Sequence, residues 1–343
     1  MLSLFIILFV AFGLALGLTP LTMWLVSKYG VKRVKGVKRV KKLKKVLPYM
    51  GGVALIVAFV IAAWLSRMMP VPFLDSDEPL RFQGVLIGVS LALLFGMAHD
   101  YEQLPQWWLM PFLLGGVAIS HMIFINMLSG PGGVIVLPWL IFIPVTTLWF
   151  VGIINTVNSL DGLDGLAVGV VAIASAVLAV QMYRDQQFSI ALLAVALLGV
   201  TLGLLPYNFY PLRTSIGSSG THVLGYVLAA LAILGAPRIA TLLLVLSLPI
   251  LDTVWYLVSR VTRQRFGDSR HLYHRLVDSG FSPQLAVLSY WSVSAIFGLL
   301  VLFLPGGIYK VVAILLVLLL DVTLRWLLPR LQVRRVNGAL APK

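Results

Sequence analysis

Apolar stretches of about twenty residues recur along this chain, and they leave it few ways to fold. Eleven can be marked: 2–27, 49–68, 84–99, 106–128, 137–157, 164–182, 188–206, 220–236, 238–258, 285–305 and 307–329, the third and eighth being short. A helix of this length crosses the hydrocarbon core of a bilayer, which is about 30 Å thick. Only 11% of the residues are charged, where a soluble domain carries roughly a quarter. Lipid must therefore serve as part of the solvent. The expected fold is an all-α integral membrane protein, a polytopic bundle of about eleven transmembrane helices. Residues 1–329 would form one membrane domain and 330–343 a basic tail. The first stretch lacks a basic start and a small-residue cleavage site, so it reads as a retained span rather than a signal peptide. With no cysteine, disulfides and thiolate chemistry are excluded.

Charge orients the bundle. Residues 28–48 carry ten Lys and Arg. Placing them in the cytoplasm brings Arg213, five arginines of 259–284 and five basic residues from Arg325 to Lys343 to the same side. That side then holds 21 basic residues, and the other keeps five: Arg67, Arg81, Arg184, Arg238 and Lys310. This positive-inside asymmetry supports an outside N-terminus, a cytoplasmic C-terminus and a cell-membrane location. The run VKRVKGVKRVKK suits anionic membrane lipids, and some of its lysines, Lys41 and Lys44 among them, suit a lipid phosphate. It carries no interleaved aromatic residues, so nucleic acid is not expected.

The same topology sorts the scarce acids. Asp100 and Glu102 follow the third stretch, Asp161 and Asp164 the fifth; Asp252 lies in the ninth, with Asp268 and Asp278 beyond it. All fall at the cytoplasmic end, with His99, His271, His274, Asn155, Asn158, the turn GSSGTH (217–222) and the arginines of 259–275. Ionisable groups at membrane depth are costly and usually functional. Simpler roles exist. Asp100 could mark a helix end, although a carboxylate is unfavourable at a helix C-terminus. Asn158, Asp161 or Asp164 could cap the next helix. GSSGTH could be a capping turn or a phosphate cradle. His121 reads as a packed histidine, and Asp321 as a partner of Arg325 at i+4. Carboxylates and amides suit a hard divalent cation that keeps waters and substrate phosphates, and arginines and histidines suit phosphate oxygens. Residue chemistry thus points to phosphoryl transfer at the cytoplasmic interface.

The segments GMAHD (96–100), NTVNSLDGLDGLAVG (155–169), GSSGTHVLG (217–225), PILDT (249–253) and DSRHLYHRLVDSG (268–280) resemble, in order and spacing, the polyprenyl-phosphate N-acetylhexosamine-1-phosphate transferases of the glycosyltransferase family 4 type. TP at 19–20 and PYMGG at 48–52 match as well. The resemblance covers nearly the whole chain, and the HLYHRL form is similar to the undecaprenyl-phosphate N-acetylglucosamine-1-phosphate branch that starts cell-wall and surface glycans. It implies a cytoplasmic-face site that moves a sugar 1-phosphate from a UDP-sugar to undecaprenyl phosphate, with release of UMP. Magnesium is the implied cofactor, with manganese as an alternative, and a homodimer is compatible. The implied catalytic group is His99, Asp100, Asp161 and Asp164. Asn158, Asp100, Asp164 and Ser218 are the implied metal ligands. Asn155, Asn158, Gly217, Gly220, Thr221, His271, His274, Arg275, Lys41 and Lys44 are the implied substrate contacts.

Four positions depart from the family pattern. His99 stands where the family has the first of two aspartates, and Ser218 where it has a carboxylate. Tyr273 replaces a histidine, and the lysine-rich segment lacks the usual aspartate and histidine. A relative that binds polyprenyl phosphate or a partner protein without turnover is the second reading. An anionic-lipid transporter is the third; it is disfavoured because the polar groups gather at one face and no repeat of spans is visible.

Overall fold

The computed structural model describes residues 1–29, 48–73, 76, 78–102, 129–130, 133–134, 139–234, 238–261, 271–303 and five positions between 312 and 323. They form two compact units, Met1–Ile239 and Ala240–Lys343. The described residues are overwhelmingly helical; a two-residue pairing, β1 (Ser129–Gly130) with β2 (Gly133–Val134), is the exception.

The first unit contains α1 (Leu2–Tyr29), α2 (Pro48–Arg67), α3 (Glu78–Glu102), α4 (Trp139–Ser159), α5 (Leu166–Arg184), α6 (Phe188–Asn208) and α7 (Gly217–Ile233). In lipid every backbone polar group must pair within the segment, so long apolar stretches become helices. Buried hydroxyls obey the same rule by bonding back one turn. Thr19 donates to the Ala15 carbonyl at 2.6 Å, Ser175 to Val171 at 2.7 Å and Thr201 to Leu197 at 2.9 Å. Two helices organise the packing: α6 is flanked by α1, α2 and α5, and α7 by α2, α3 and α4. Side chains of α7 are buried nearly all round, whereas α1 shows Phe5, Phe9 and Trp24 to the outside.

Each end of this unit is closed by polar groups. At the start of α3, Glu78 pairs with Arg67 and accepts from the Ser189 hydroxyl at 2.7 Å. Arg238 meets Asp185 at 2.8 Å beyond the ends of α5 and α7. At the far end of α3 lie His99 and Asp100. A rise of 1.5 Å per residue puts Glu78 and Asp100 about 33 Å apart, close to the roughly 30 Å of a hydrocarbon core. The helices α1, α3, α4 and α6 run toward the Asp100 end, while α2, α5 and α7 run away from it.

The second unit contains α8 (Ile239–Val245, from Ala240 onward), α9 (Ser247–Val261), α10 (Leu272–Asp278) and α11 (Pro283–Phe303). Leu244, Phe297 and Val301 form its small core, with Leu251 and Val293 packed against them.

Among the described residues, five helices are long and apolar enough to cross a membrane, Leu2–Leu25, Glu78–Asp100, Leu166–Arg184, Phe188–Asn208 and Pro283–Phe303, or six if α8 and α9 count as one bent span. The segments Gly51–Arg67 and Gly217–Ile233 are apolar but shorter. The expected span 106–128 lies outside the described residues, as does most of 307–329. Two expectations need correction. The stretch 238–258 is not one helix: α8 and α9 meet at 77° around Leu246, because Pro249 has no N–H to offer the Val245 carbonyl. GSSGTH is not a turn before a helix; it forms the opening turns of α7.

Gly96 sets how closely α3 meets α7. A Cβ there would overlap Ser219 Cα and lie 2.7 Å from the Ser218 carbonyl oxygen, both backbone atoms. Gly96→Ala is expected to cost about 1–3 kcal/mol through overpacking, read as a lowered thermal midpoint in detergent. Gly152→Ala, with nothing within 4 Å of the added carbon, should leave the midpoint in place.

Candidate functional site

The polar end of the first unit is built where α3 stops against the start of α7. The Asp100 carboxylate accepts the Ser218 N–H on Oδ1 and the Ser219 N–H on Oδ2, each at 2.9 Å. This answers why an acid ends an apolar helix. It is unfavourable at its own C-terminus but faces the positive pole of α7 and satisfies two donors that a helix start leaves open. His99 Nδ1 and Ser218 Oγ are 2.9 Å apart, so two of the four departures from the family pattern meet in one contact. The His222 Nδ1–H donates to the Ser218 carbonyl, and the His99 and His222 rings lie 6.3 Å apart.

The remaining N–H groups of this turn are also taken. Gly217 N–H donates to Ser215 Oγ at 3.3 Å and Gly220 N–H to the Ile216 carbonyl at 3.1 Å. The backbone donors of this turn thus serve Asp100, Ser215 and Ile216. Thr221 Oγ1 instead donates to Asn158 Oδ1 at 2.7 Å, tying the end of α4 to α7.

Asn155 and Asn158 occupy the last turns of α4, and Asp161 and Asp164 the connection to α5. Neither aspartate caps α5. Its N-cap is Gly165, at φ +83° and without a side-chain cap bond. That left-handed conformation suits glycine, and the residue packs against Phe209. Asp161 keeps some solvent contact as a residue, yet its carboxyl is enclosed by protein. Burial, then the nearby Asp100 and Asp164 charges, push its pKa up to about 8, against a hydrogen bond from Ser215 that works the other way. Ser215 was not legible as a site residue, because its partners Asp161 and Gly217 come together only in the fold.

In the second unit, buried Asp252 accepts the Leu272 N–H on Oδ1 at 2.7 Å. Its Oδ2 lies 3.1 Å from His271 Nδ1 and 3.2 Å from the Tyr290 hydroxyl. The His271 ring stacks on Tyr256 at 4.4 Å and on Tyr273 at 5.2 Å. Tyr273 also touches the His274 ring at 4.5 Å, and Arg275 follows on α10. Lys41, Lys44, His121, Asp268 and Asp321 lie outside the described residues.

Among the described residues, no three His, Asp or Glu side chains converge in ligating geometry. The donor set nonetheless suits a divalent cation in charge and hardness. Asp161 is crowded by two further carboxylates, and oxygen donors favour magnesium-like ions. Of the four expected ligands, Asn158 and Ser218 are engaged by Thr221 and His99. Asp100 is engaged by two N–H groups, although each of its oxygens keeps another acceptor site.

A pKa raised on folding means that the folded chain holds more protons than the unfolded one between about pH 4 and 8. The associated stability is complete below that window and is lost as pH rises through about 8. In metal-free buffer the thermal midpoint should therefore fall from pH 6 to pH 9, and Asp161→Asn should flatten that fall. An unchanged slope in the variant would refute the assignment.

Residues 82–236 match the family model of glycosyl transferase family 4. The chain is 28% identical over 269 residues to a probable undecaprenyl-phosphate N-acetylglucosaminyl 1-phosphate transferase of Bacillus subtilis (strain 168), covering 74% of this chain and 72% of that protein. It is 29% identical over 322 residues to the decaprenyl-phosphate N-acetylglucosaminephosphotransferase of Mycolicibacterium smegmatis, covering 82% and 79%. A phospho-N-acetylmuramoyl-pentapeptide-transferase of Halalkalibacterium halodurans is 26% identical over 166 residues, covering 48% of this chain and 51% of its own length. The motif order, the match over α3–α7 and these relatives agree: the chain is similar to the polyprenyl-phosphate N-acetylhexosamine-1-phosphate transferases of glycosyl transferase family 4.

Proposed function

We propose that this chain transfers an N-acetylhexosamine 1-phosphate, with N-acetylglucosamine the first choice, from a UDP-sugar to a polyprenyl phosphate such as undecaprenyl phosphate. The observation that carries this reading is the gathering of Asp100, Asp161 and Asp164 around the junction of α3, α4 and α7, at one end of an apolar bundle. The relatives' names supply the substrates. The basic connections of the sequence support a cytoplasmic face for that end.

An oxygen of the polyprenyl phosphate forms a bond to the sugar-linked phosphorus of the UDP-sugar. The bond from that phosphorus to the bridging oxygen breaks, and UMP leaves with the electron pair. The attacking group is a phosphate monoester with a second pKa near 6, so at neutral pH it needs orientation more than a strong base. The protein's task is then positioning and neutralisation of charge. Asp161 and Asp164 would hold a divalent cation, magnesium by its preference for oxygen, with Asp100 fixed beside them. Such an ion, when bound, offsets the negative charge that builds on the phosphoryl oxygens. Asn158, held by Thr221, and Asn155 flank the same carboxylates. By the family resemblance, His271, His274 and Arg275 are the candidate cationic contacts to a diphosphate.

The test is conversion of radiolabelled UDP-N-acetylglucosamine to a lipid-linked product by the purified chain with undecaprenyl phosphate and magnesium. Product and UMP should appear in equal amounts, and chelation should stop the reaction. Asp164→Asn should lower kcat by about a hundredfold or more, the scale set by loss of one electrostatic group at a reacting centre. Absence of product across a panel of UDP-sugars and divalent metals would overturn the reading. Native-like turnover by Asp164→Asn would overturn the role given to this carboxylate.

A further inference from the structure

We propose that Ser215 is a positioning residue. Its hydroxyl ties Asp161 to the turn that already holds Asp100, and so sets where the acids stand for a divalent cation. The part of that cation in turnover rests on the transferase reading; the tie between Ser215 and Asp161 does not.

One hydroxyl makes two contacts. Ser215 Oγ accepts the Gly217 N–H, two residues on, at 3.3 Å, a local turn that serine readily builds. A serine hydroxyl has a single proton to donate. With an acceptor site of Oγ used by Gly217, that proton goes to the Asp161 carboxyl. Asp161 is crowded by the charges of Asp100 and Asp164. Like charges push the acid away, and the Ser215 hydroxyl supplies an attraction that holds it.

Ser215 is itself fixed from two sides. Its carbonyl accepts the Gly51 N–H of α2 at 3.2 Å. A Cβ on Gly51 would lie 2.5 Å from that carbonyl oxygen, and one on Gly52 2.5 Å from the Ile216 oxygen. The start of α2 therefore lies directly against the backbone of 215–216. From the end of α6, the Tyr207 carbonyl accepts the Arg213 N–H at 2.9 Å and the Thr214 N–H at 3.0 Å, and Asn208 Nδ2 donates to the Thr214 carbonyl at 3.0 Å.

The segment so held is a common reference for two acids from different parts of the chain. Asp100 of α3 takes the Ser218 and Ser219 N–H groups, and Asp161 of the α4–α5 connection takes the Ser215 hydroxyl. Only a few peptide units separate these donors, so the spacing of the acids is set by one short stretch of backbone. Magnesium binds oxygen at about 2.0–2.1 Å in near-ideal octahedral geometry, which leaves little tolerance in where its ligands stand. Ser215 thus acts on the cation through Asp161 without touching it.

The test uses the full chain in detergent with manganese alone as the probe, binding being read from the loss of the free-ion electron paramagnetic resonance signal. Ser215→Ala should weaken manganese binding by about tenfold to a hundredfold, the range for loss of an outer partner of a metal ligand. Ser215→Thr keeps the hydroxyl and should restore binding to near the native level. Asp161→Asn should weaken binding at least as much as Ser215→Ala, and adding Ser215→Ala to it should cost little more, because the hydroxyl works through that carboxylate. In turnover, Ser215→Ala should raise the magnesium concentration for half-maximal rate by a larger factor than it lowers kcat. A serine with a merely structural role would lower kcat and the folded fraction without moving the metal requirement. Should Ser215→Ala fail to fold, Ser215→Cys, whose S–H is a weak donor, should weaken manganese binding in the same direction. Native manganese affinity in the variant that lacks the hydroxyl, no rescue by Ser215→Thr, or a loss that adds in full to that of Asp161→Asn would each overturn the proposal. Turnover by the native chain together with normal manganese binding by Ser215→Ala would sink this inference alone. Manganese binding that depends on Ser215, without turnover on any UDP-sugar, would sink the transferase reading alone.

Discussion

The first unit depends on one carboxylate set across the start of a helix. Asp100 ends α3 and accepts two N–H groups of α7. Without it, a negative helix end and a positive helix start would lie unpaired near lipid, where unsatisfied backbone groups cost several kcal/mol each. This contact explains why Gly96 must be small and why the first turns of α7 are so deeply packed. It also explains why Thr221 stands within reach of Asn158. The carboxylates that suit chemistry are thus supported by the same bonds that join the helices.

The second unit repeats the device with other partners. Asp252 accepts the N–H that opens α10 and faces His271, just as Asp100 accepts the N–H groups that open α7 and adjoins His99. In both cases a buried acid from one helix fixes the entry of another, and a histidine is carried with it. The difference lies in the histidine's own contacts. His99 meets the Ser218 hydroxyl, whereas His271 is held by the acid itself and walled by tyrosines. The first arrangement looks inward to the bundle, and the second fixes a ring between an acid and two aromatic walls.

Much of this was legible in the sequence, and the limit has a physical cause. Apolar length gave α1, α3, α5, α6 and α11, because a segment that must satisfy its own backbone announces itself by composition. The scarcity of acids singled out Asp100, Asp161, Asp164 and Asp252. What could not be read were pairings between distant segments. Ser218 lies 118 residues from Asp100, and no local spacing reveals that one caps the other. Local spacing also misled where two solutions compete. GSSGTH has the composition of a turn, yet an external acid lets it start the helix early. Pro249 broke a stretch whose hydropathy alone read as continuous.

The two polar layers at the ends of α3 have a consequence for the membrane around the protein. They act as a ruler about 33 Å long, with the Arg67–Glu78 pair at one mark and Asp100 at the other. A bilayer of matching thickness leaves both layers wet. One several ångströms thicker would draw charged groups into hydrocarbon or force the lipid to thin around the bundle. The depth at which a lipid headgroup meets these carboxylates is therefore a property shared by chain and membrane, and lipid length belongs among the variables that tune this protein.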